Sequence, residues 1–235
     1  MTAIKLTING VIPKGVEIQS VWLGIYNGLA KIESLRREYV MTLGYGHELR
    51  HPLISSSEIE RTLTIDRKID QLTLSDSEKE KNTLIQCTSE REFGRRLILT
   101  SRNFSSDTEV SHLEKLMTTA LEHLCLSNLL LFNSSYRGAC RSEYAGSGTD
   151  LTRVPAWGIW REGYIEGIAA DMWLGEAFWQ HAKCSKEEVL AADWLQVEER
   201  PNHLYVKAWP HPFDKNEGEQ RERQLRLLDF FFGIK

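Results

Sequence analysis

The chain of 235 residues contains no uncharged apolar run of the roughly 18 residues needed to span a bilayer. Its first ten residues, MTAIKLTING, hold one lysine and no apolar stretch of the length a secretory leader requires. A cytoplasmic protein is therefore expected, with no membrane partner. An excess of positive charge is also missing, since 29 Lys and Arg stand against 33 Asp and Glu for a net charge of −4. Nucleic-acid binders carry a basic field, so a nucleic-acid partner is disfavoured. Cysteine is scarce: Cys87, Cys125, Cys140 and Cys184 lie far apart without a Cys-x-x-Cys pair, which argues against a zinc ribbon and a redox motif. Only Cys140, between Arg137 and Arg141, sits where neighbouring charge could favour a thiolate. A structural role is the stronger expectation for it. No glycine-rich phosphate loop is present, and Gly146-Ser147-Gly148 lacks the spacing and the preceding strand of a nucleophile elbow.

What is present is enough apolar matter for a core, at 41% hydrophobic residues. The opening segment alternates as a strand and reaches a turn dipeptide at Asn9-Gly10. From Ile18 through Trp22, Ile25, Leu29 and Ile32 the apolar steps become four and three, the rhythm of a helix, with a hairpin at Asn27-Gly28 as the competing reading. Residues 55–104 carry the β-type runs RTLTI, DQLTL, NTLIQCT and RRLILTS, which suggest an antiparallel sheet. Ser106 to Glu109 has the form of a capping box opening a helix with an inward stripe through Leu113 and Met117.

The passage RGACRSEYAGSGTD reads as a small-residue loop. The chain is then one α+β domain, or two subdomains, 1–136 and 151–235, joined by the loop at 137–150. Six of the seven tryptophans follow this loop. Trp173 and Trp179 are expected on a helix packed against the sheet, whereas Trp157 and Trp160 could stay partly exposed beside Glu162 and Glu166. Ser185 to Glu188 is a second capping box, WLQVEERPNHLYVKAW makes a hairpin, and Asp214 or Asn216 can cap a last helix ending at Gly233. That helix is expected to turn Leu225, Leu228 and Phe232 inward. The fold class these elements predict is α+β, a mainly antiparallel sheet flanked by helices.

One motif points to catalysis. His47-Glu48-Leu49-Arg50-His51 matches the His-Glu-x-x-His of zinc hydrolases, where one helical face presents both imidazoles to the metal and the glutamate activates water. Pro52 pushes the residue before it out of the helical region, and Gly44 and Gly46 weaken any helix before the motif. A turn between a helix and a sheet is the preferred reading, so no catalytic residue, metal or cofactor is assigned. The zinc-dependent metallohydrolase using His47, Glu48 and His51 is kept as the alternative function.

The last third, with WLQVEERPNHLYVKAWPHPFD and EGEQRERQLRLLDFFFG, resembles the carboxyl-terminal layout of bacterial polymorphic-toxin immunity proteins, in particular the family called immunity protein fifty-two, which guards against type VI secreted toxins. The resemblance rests on a tryptophan-rich entry, a hairpin, a Pro-x-Phe-Asp corner at Pro212 to Asp214 and a terminal helix. It implies a nonenzymatic α+β protein whose partner is a cognate protein toxin, neutralised by occlusion of its active site. An acidic protein can be steered onto a basic toxin and then held by desolvated aromatic anchors. The candidate surface comprises Trp157 and Trp160 as anchors with Glu187, Glu188, Glu198, Glu199 and Glu217 as an acidic rim. A nonenzymatic scaffold of unknown partner is a third possibility.

Overall fold

The computed structural model describes residues 4–13, 15–30, 39–44, 47–52, 71–75, 83–87, 96–104, 107–124, 127–144, 154–159 and 161–234. Their architecture is α+β, an antiparallel sheet flanked by helices. The strands are β1 (Ile4–Val11), β2 (Tyr39–Gly44), β3 (His47–Pro52), β4 (Gln71–Ser75), β5 (Thr83–Cys87), β6 (Arg96–Phe104), β7 (Leu129–Asn133), β8 (Asp171–Gly175), β9 (Gln196–Arg200) and β10 (His203–Lys207). The helices are α1 (Ile18–Ala30), α2 (Asp107–Leu124), α3 (Ser134–Tyr144), α4 (Lys186–Leu190) and α5 (Gly218–Phe232), with a 3₁₀ helix at Glu176–Gln180. The strands form one ten-stranded sheet in the order β3-β2-β4-β5-β6-β1-β7-β8-β10-β9.

β1 holds this sheet together. It pairs with β6 on one side and β7 on the other, so the first strand of the chain joins strands from residues 39–104 to strands from residues 129–207. Asn9 and Gly10 were expected to turn, yet both lie inside β1, where Gly10 pairs with Leu97 and Leu129. Packing explains the choice. A Cβ on Gly10 would stand 2.0 Å from a methyl carbon of Leu129, so the missing side chain is what lets β7 seat beside β1.

The helix over α1 prevails against the hairpin for a similar reason. A Cβ on Gly28 would lie 2.1 Å from Leu116 of α2, so this glycine permits close helix–helix approach and makes no turn. Leu113, Leu116 and Met117 of α2 are buried. The runs DQLTL, NTLIQCT and RRLILTS supply β4, β5 and β6, whereas RTLTI lies outside the described residues.

Two further expectations are corrected. Residues 137–144, read as loop, belong to α3, whose Tyr136, Cys140 and Tyr144 recur every four residues and are buried. Two tyrosines and a cysteine buried at helical spacing outweigh the turn-like composition between them, and the Tyr136 hydroxyl donates to the carbonyl of Ile168 at 2.9 Å. Trp173 lies on β8 and Trp179 on the 3₁₀ helix, where a longer helix was expected for both. Trp173 is fully buried in a strand of five buried residues. A strand covered on both faces has no polar alternation to betray it.

The carboxyl-terminal half of the sheet carries a large apolar cluster. On one face Leu130, Phe132, Met172, Leu174, Leu204 and Val206 meet α3, α5 and the 3₁₀ helix in a continuous apolar cluster. Phe178 packs edge-on against Phe231 at 5.5 Å. α5 buries Gln224, Leu227, Leu228 and Phe231, a stripe at steps of three, one and three. The expected inward set of Leu225, Leu228 and Phe232 holds at Leu228 and, half-buried, at Phe232, which packs on the cluster and meets Phe178 edge-on at 5.9 Å, whereas Leu225 is 40% exposed. Gly233 ends α5 in the left-handed conformation, φ 67°. Its start is Glu217, with no side-chain cap. Asp214 instead accepts from Gln220 Nε2 at 2.7 Å, and Asn216 accepts from Arg221 at 3.0 Å.

Candidate partner-binding surface

The capping box at the start of α4 forms as its residues dictate. Ser185 Oγ accepts from the amide of Glu188 at 3.2 Å, and Glu188 Oε2 accepts from the amide of Ser185 at 2.7 Å. This reciprocal pair satisfies two amides a helix start otherwise leaves open. Glu187 beside it is fully solvated, and its carboxyl is held below its ordinary value by hydrogen bonds from the backbone and Ser185.

β9, the edge strand after this helix, divides the remaining glutamates. Val197 pairs with Val206, and Glu199 with Leu204, so Glu199 shares the aromatic-core face and reaches Lys186 of α4 at 2.6 Å. Glu198 pairs with Tyr205 and points to the other face, where it bridges to Arg200. Successive strand residues face opposite ways, so adjacent glutamates cannot serve one flat rim. Glu187, Glu188 and Glu199 therefore share a side of the sheet that Glu198 does not. Glu217 stands at the amino end of α5 and is exposed, near Arg221, which pairs with Glu143 of α3 at 3.0 Å. Charges on a sheet edge also discourage pairing with another strand.

Trp194, between α4 and β9, forms a centre that the sequence reading did not single out. The guanidinium carbon of Arg226 lies 4.0 Å from its ring centroid and that of Arg223 lies 5.1 Å away. Arg223 Nη1 also donates to the Trp194 carbonyl at 2.7 Å. Phe230 meets the indole edge-on at 5.4 Å, and Arg223 reaches toward Trp209 at 6.0 Å. Positions 223, 226 and 230 follow the helical repeat, so one flank of α5 supplies all three contacts. That spacing within EGEQRERQLRLLDFFF was the available signal. Its meaning depended on Trp194 arriving opposite it from a separate element. Leu190, 43% exposed, lies at the end of α4 on the same stretch of chain.

Trp157 is half-buried against the apolar cluster, with Arg137 of α3 over its ring at 4.7 Å. Arg137 Nη2 also pairs with Glu166 at 3.2 Å. The expected neighbourhood of Trp157 and Glu166 therefore exists, joined by an arginine. Glu166 is only 4% exposed and lines a small depression with Gly10, Val11, Asn128, Tyr164 and Ile165. Asn128 donates to the Tyr164 carbonyl at 3.2 Å and accepts from the Gly175 amide at 2.8 Å. Trp160 lies outside the described residues.

The zinc motif takes a different backbone from the one its chemistry requires. His47 to Pro52 is β3, paired antiparallel with β2, so the expected turn is a strand. Four residues of strand separate Cα atoms by about 13 Å, against about 6 Å for one helical turn. Among the described residues no group of three or more His, Cys, Asp and Glu side chains is placed to hold a metal. Cys140 is fully buried, and desolvation pushes its thiol up to about 12, overriding Arg137. The flanking arginines therefore do not make it a thiolate. Among the described residues no helix is long and apolar enough to cross a membrane.

The fold is α+β, and its candidate partner-binding residues lie chiefly on α4, α5 and the last hairpin. Comparison with solved structures finds the same fold in the Pseudomonas aeruginosa T6SS protein PA0821, with a TM-score of 0.63 over 100% of this chain and 74% of that one. The two sequences are 9% identical. No protein-family model matches the chain. No curated protein matches it in sequence.

Proposed function

We propose that this chain is an immunity-type protein that binds a cognate bacterial toxin and blocks its active site or substrate path, working in the producer's cytoplasm without a catalytic step or cofactor. The observation that carries the reading is the likeness in fold, over the whole chain, to a T6SS protein. The resemblance of the last third to toxin-immunity proteins supports it independently. The net charge of −4 suits steering toward a basic partner.

The proposed partner surface centres on Trp194, Arg223 and Arg226, with Glu187, Glu188, Glu198, Glu199, Glu217, Trp157 and Trp160 as further contacts. Tryptophan and arginine dominate the energetic centres of protein interfaces, because both offer broad contact area and Arg adds directed hydrogen bonds. Arg226 is exposed and stacked on the indole, so a partner meets a prearranged platform. The zinc hydrolase is the weaker reading, since its motif has an extended backbone.

The test is co-expression with the product of the neighbouring gene. A stable complex on purification and rescue of growth from that product's toxicity are expected, with both diminished by Trp194→Ala combined with Arg226→Glu. A folded chain that neither binds the product nor rescues growth overturns the proposal. Stoichiometric zinc on the purified protein, lost on His47→Ala, would favour the hydrolase.

A further inference from the structure

On the face of the sheet opposite the aromatic cluster, four ionisable or hydroxyl groups meet beneath α2. Asp171 of β8 is 0% exposed. Its Oδ1 accepts from the Tyr205 hydroxyl of β10 at 2.7 Å, and Lys207 Nζ lies 3.4 Å from the same oxygen. Lys207 also donates to Glu114 Oε1 of α2 at 2.7 Å. The other carboxylate oxygen of Asp171, Oδ2, is buried and has no hydrogen-bond partner. A second tie joins the same elements, because Trp173 Nε1 of β8 donates to Thr118 Oγ1 of α2 at 2.9 Å.

We propose that Asp171, Lys207 and Glu114 form a proton-operated clasp that fastens α2 to β8 and β10 and loosens when Asp171 ionises. With Asp171 charged, two carboxylates share one half-buried ammonium, and Oδ2, sealed from water, carries anionic charge with no donor. With Asp171 neutral, the Lys207–Glu114 pair is balanced and only an uncharged acid is buried, which costs far less. Among the described residues, the other titratable or charged groups on this face are Glu198 and Arg200 of β9, which pair with each other, and the buried His203 of β10, two residues from Tyr205. From β7 the residue paired with Asp171 is Leu131, which offers no charge. On α2 itself His112 is half-buried and Lys115 exposed.

The direction of titration agrees with this geometry. Burial pushes the Asp171 carboxyl up to about 6, with Glu114 adding to the rise and Lys207 and Tyr205 opposing it. Burial works against the charge on Lys207, but Asp171 and Glu114 outweigh it and hold the ammonium above its ordinary value. The folded-state value of Asp171 lies above the 3.8 of an unperturbed carboxyl, so the folded form binds its proton more tightly than the unfolded chain does. The stabilisation is complete below that ordinary value and is lost as pH rises through the folded one.

Urea unfolding of wild type and Asp171→Asn from pH 4 to 8 tests the proposal. The ratio of their unfolding constants is expected to change roughly a hundredfold, a factor of ten per pKa unit, centred between the two pKa values. Glu114→Gln should move the change to lower pH, and Lys207→Met to higher pH. Amide exchange in wild type, corrected for its intrinsic pH dependence, should show α2 opening more readily at pH 8 than at pH 5 relative to α5. A ratio flat across the range, or α2 and α5 opening in parallel, overturns the clasp. If Asp171→Asn does not fold, Glu114→Gln and the wild-type exchange still decide. None of these outcomes bears on whether the chain binds a toxin.

Discussion

The two faces of the β8–β10 pair are built from the same ten residues and are stabilised by different physics. One face sends Met172, Leu174, Leu204 and Val206 into an apolar cluster closed by α3 and α5. The other sends Asp171, Trp173, Tyr205 and Lys207 toward α2, and all four carry groups that must be hydrogen-bonded. Trp173 and Tyr205 stack at 5.1 Å on this second face, so it is aromatic as well. The first face draws on area removed from water, which is indifferent to pH. The second couples its stability to protonation. A strand buried on both sides can thus serve as a rigid wall toward one helix and a responsive contact toward another.

The comparison is broken most severely from the apolar side. Phe231→Ala empties a fully buried site packed on Phe178 and should cost about 3–5 kcal/mol, equally at pH 5 and pH 7.5, in urea denaturation. Lys207→Met attacks the polar side by leaving Asp171 and Glu114 without their cation. About 3 kcal/mol is expected at pH 7.5 and clearly less at pH 5, where Asp171 is protonated. Equal losses at both pH values for Lys207→Met would erase the distinction between the faces. Ser185→Ala removes half of a capping box on the surface and should cost about 1 kcal/mol, seen as a small fall in thermal midpoint. Arg226→Ala should change stability by less than about 1 kcal/mol, as an exposed cation–π contact does. Its effect belongs to binding: a tenfold or greater loss of affinity for the co-purifying partner, measured by calorimetry, is expected if the Trp194 platform is the interface.

Local chemistry made several features legible. The Ser185 capping box, the hairpin of β9 and β10, the helix over residues 18–30 and the left-handed stop at Gly233 all followed from patterns within a few residues of one another. The failures share a cause. Gly10 and Gly28 signal turns by composition, yet each sits in a regular element because a distant leucine needs the space. DMWLG and LLLFN are continuous buried runs, and periodicity alone cannot separate such a strand from a helix. For the candidate surface, the glutamates were visible as charges, but the face each occupies required the register of β9 on β10. Trp194 was visible as one tryptophan among seven, without the arginines that α5 places over it.

Sequence by itself indicated the α+β fold class, the charge balance and the local devices that start and stop the last elements, because these depend on side chains acting on their own neighbourhood of backbone. It also carried the steric objection to the zinc motif, since Pro52 constrains the residue before it wherever the segment lies. Tertiary structure alone decided that the first strand would join the two halves of a ten-stranded sheet, that Asp171 would be sealed beneath α2, and that Arg223 and Arg226 would converge on Trp194. Those outcomes depend on contacts between residues far apart in the chain, whose energies exist only once the intervening elements have closed around them.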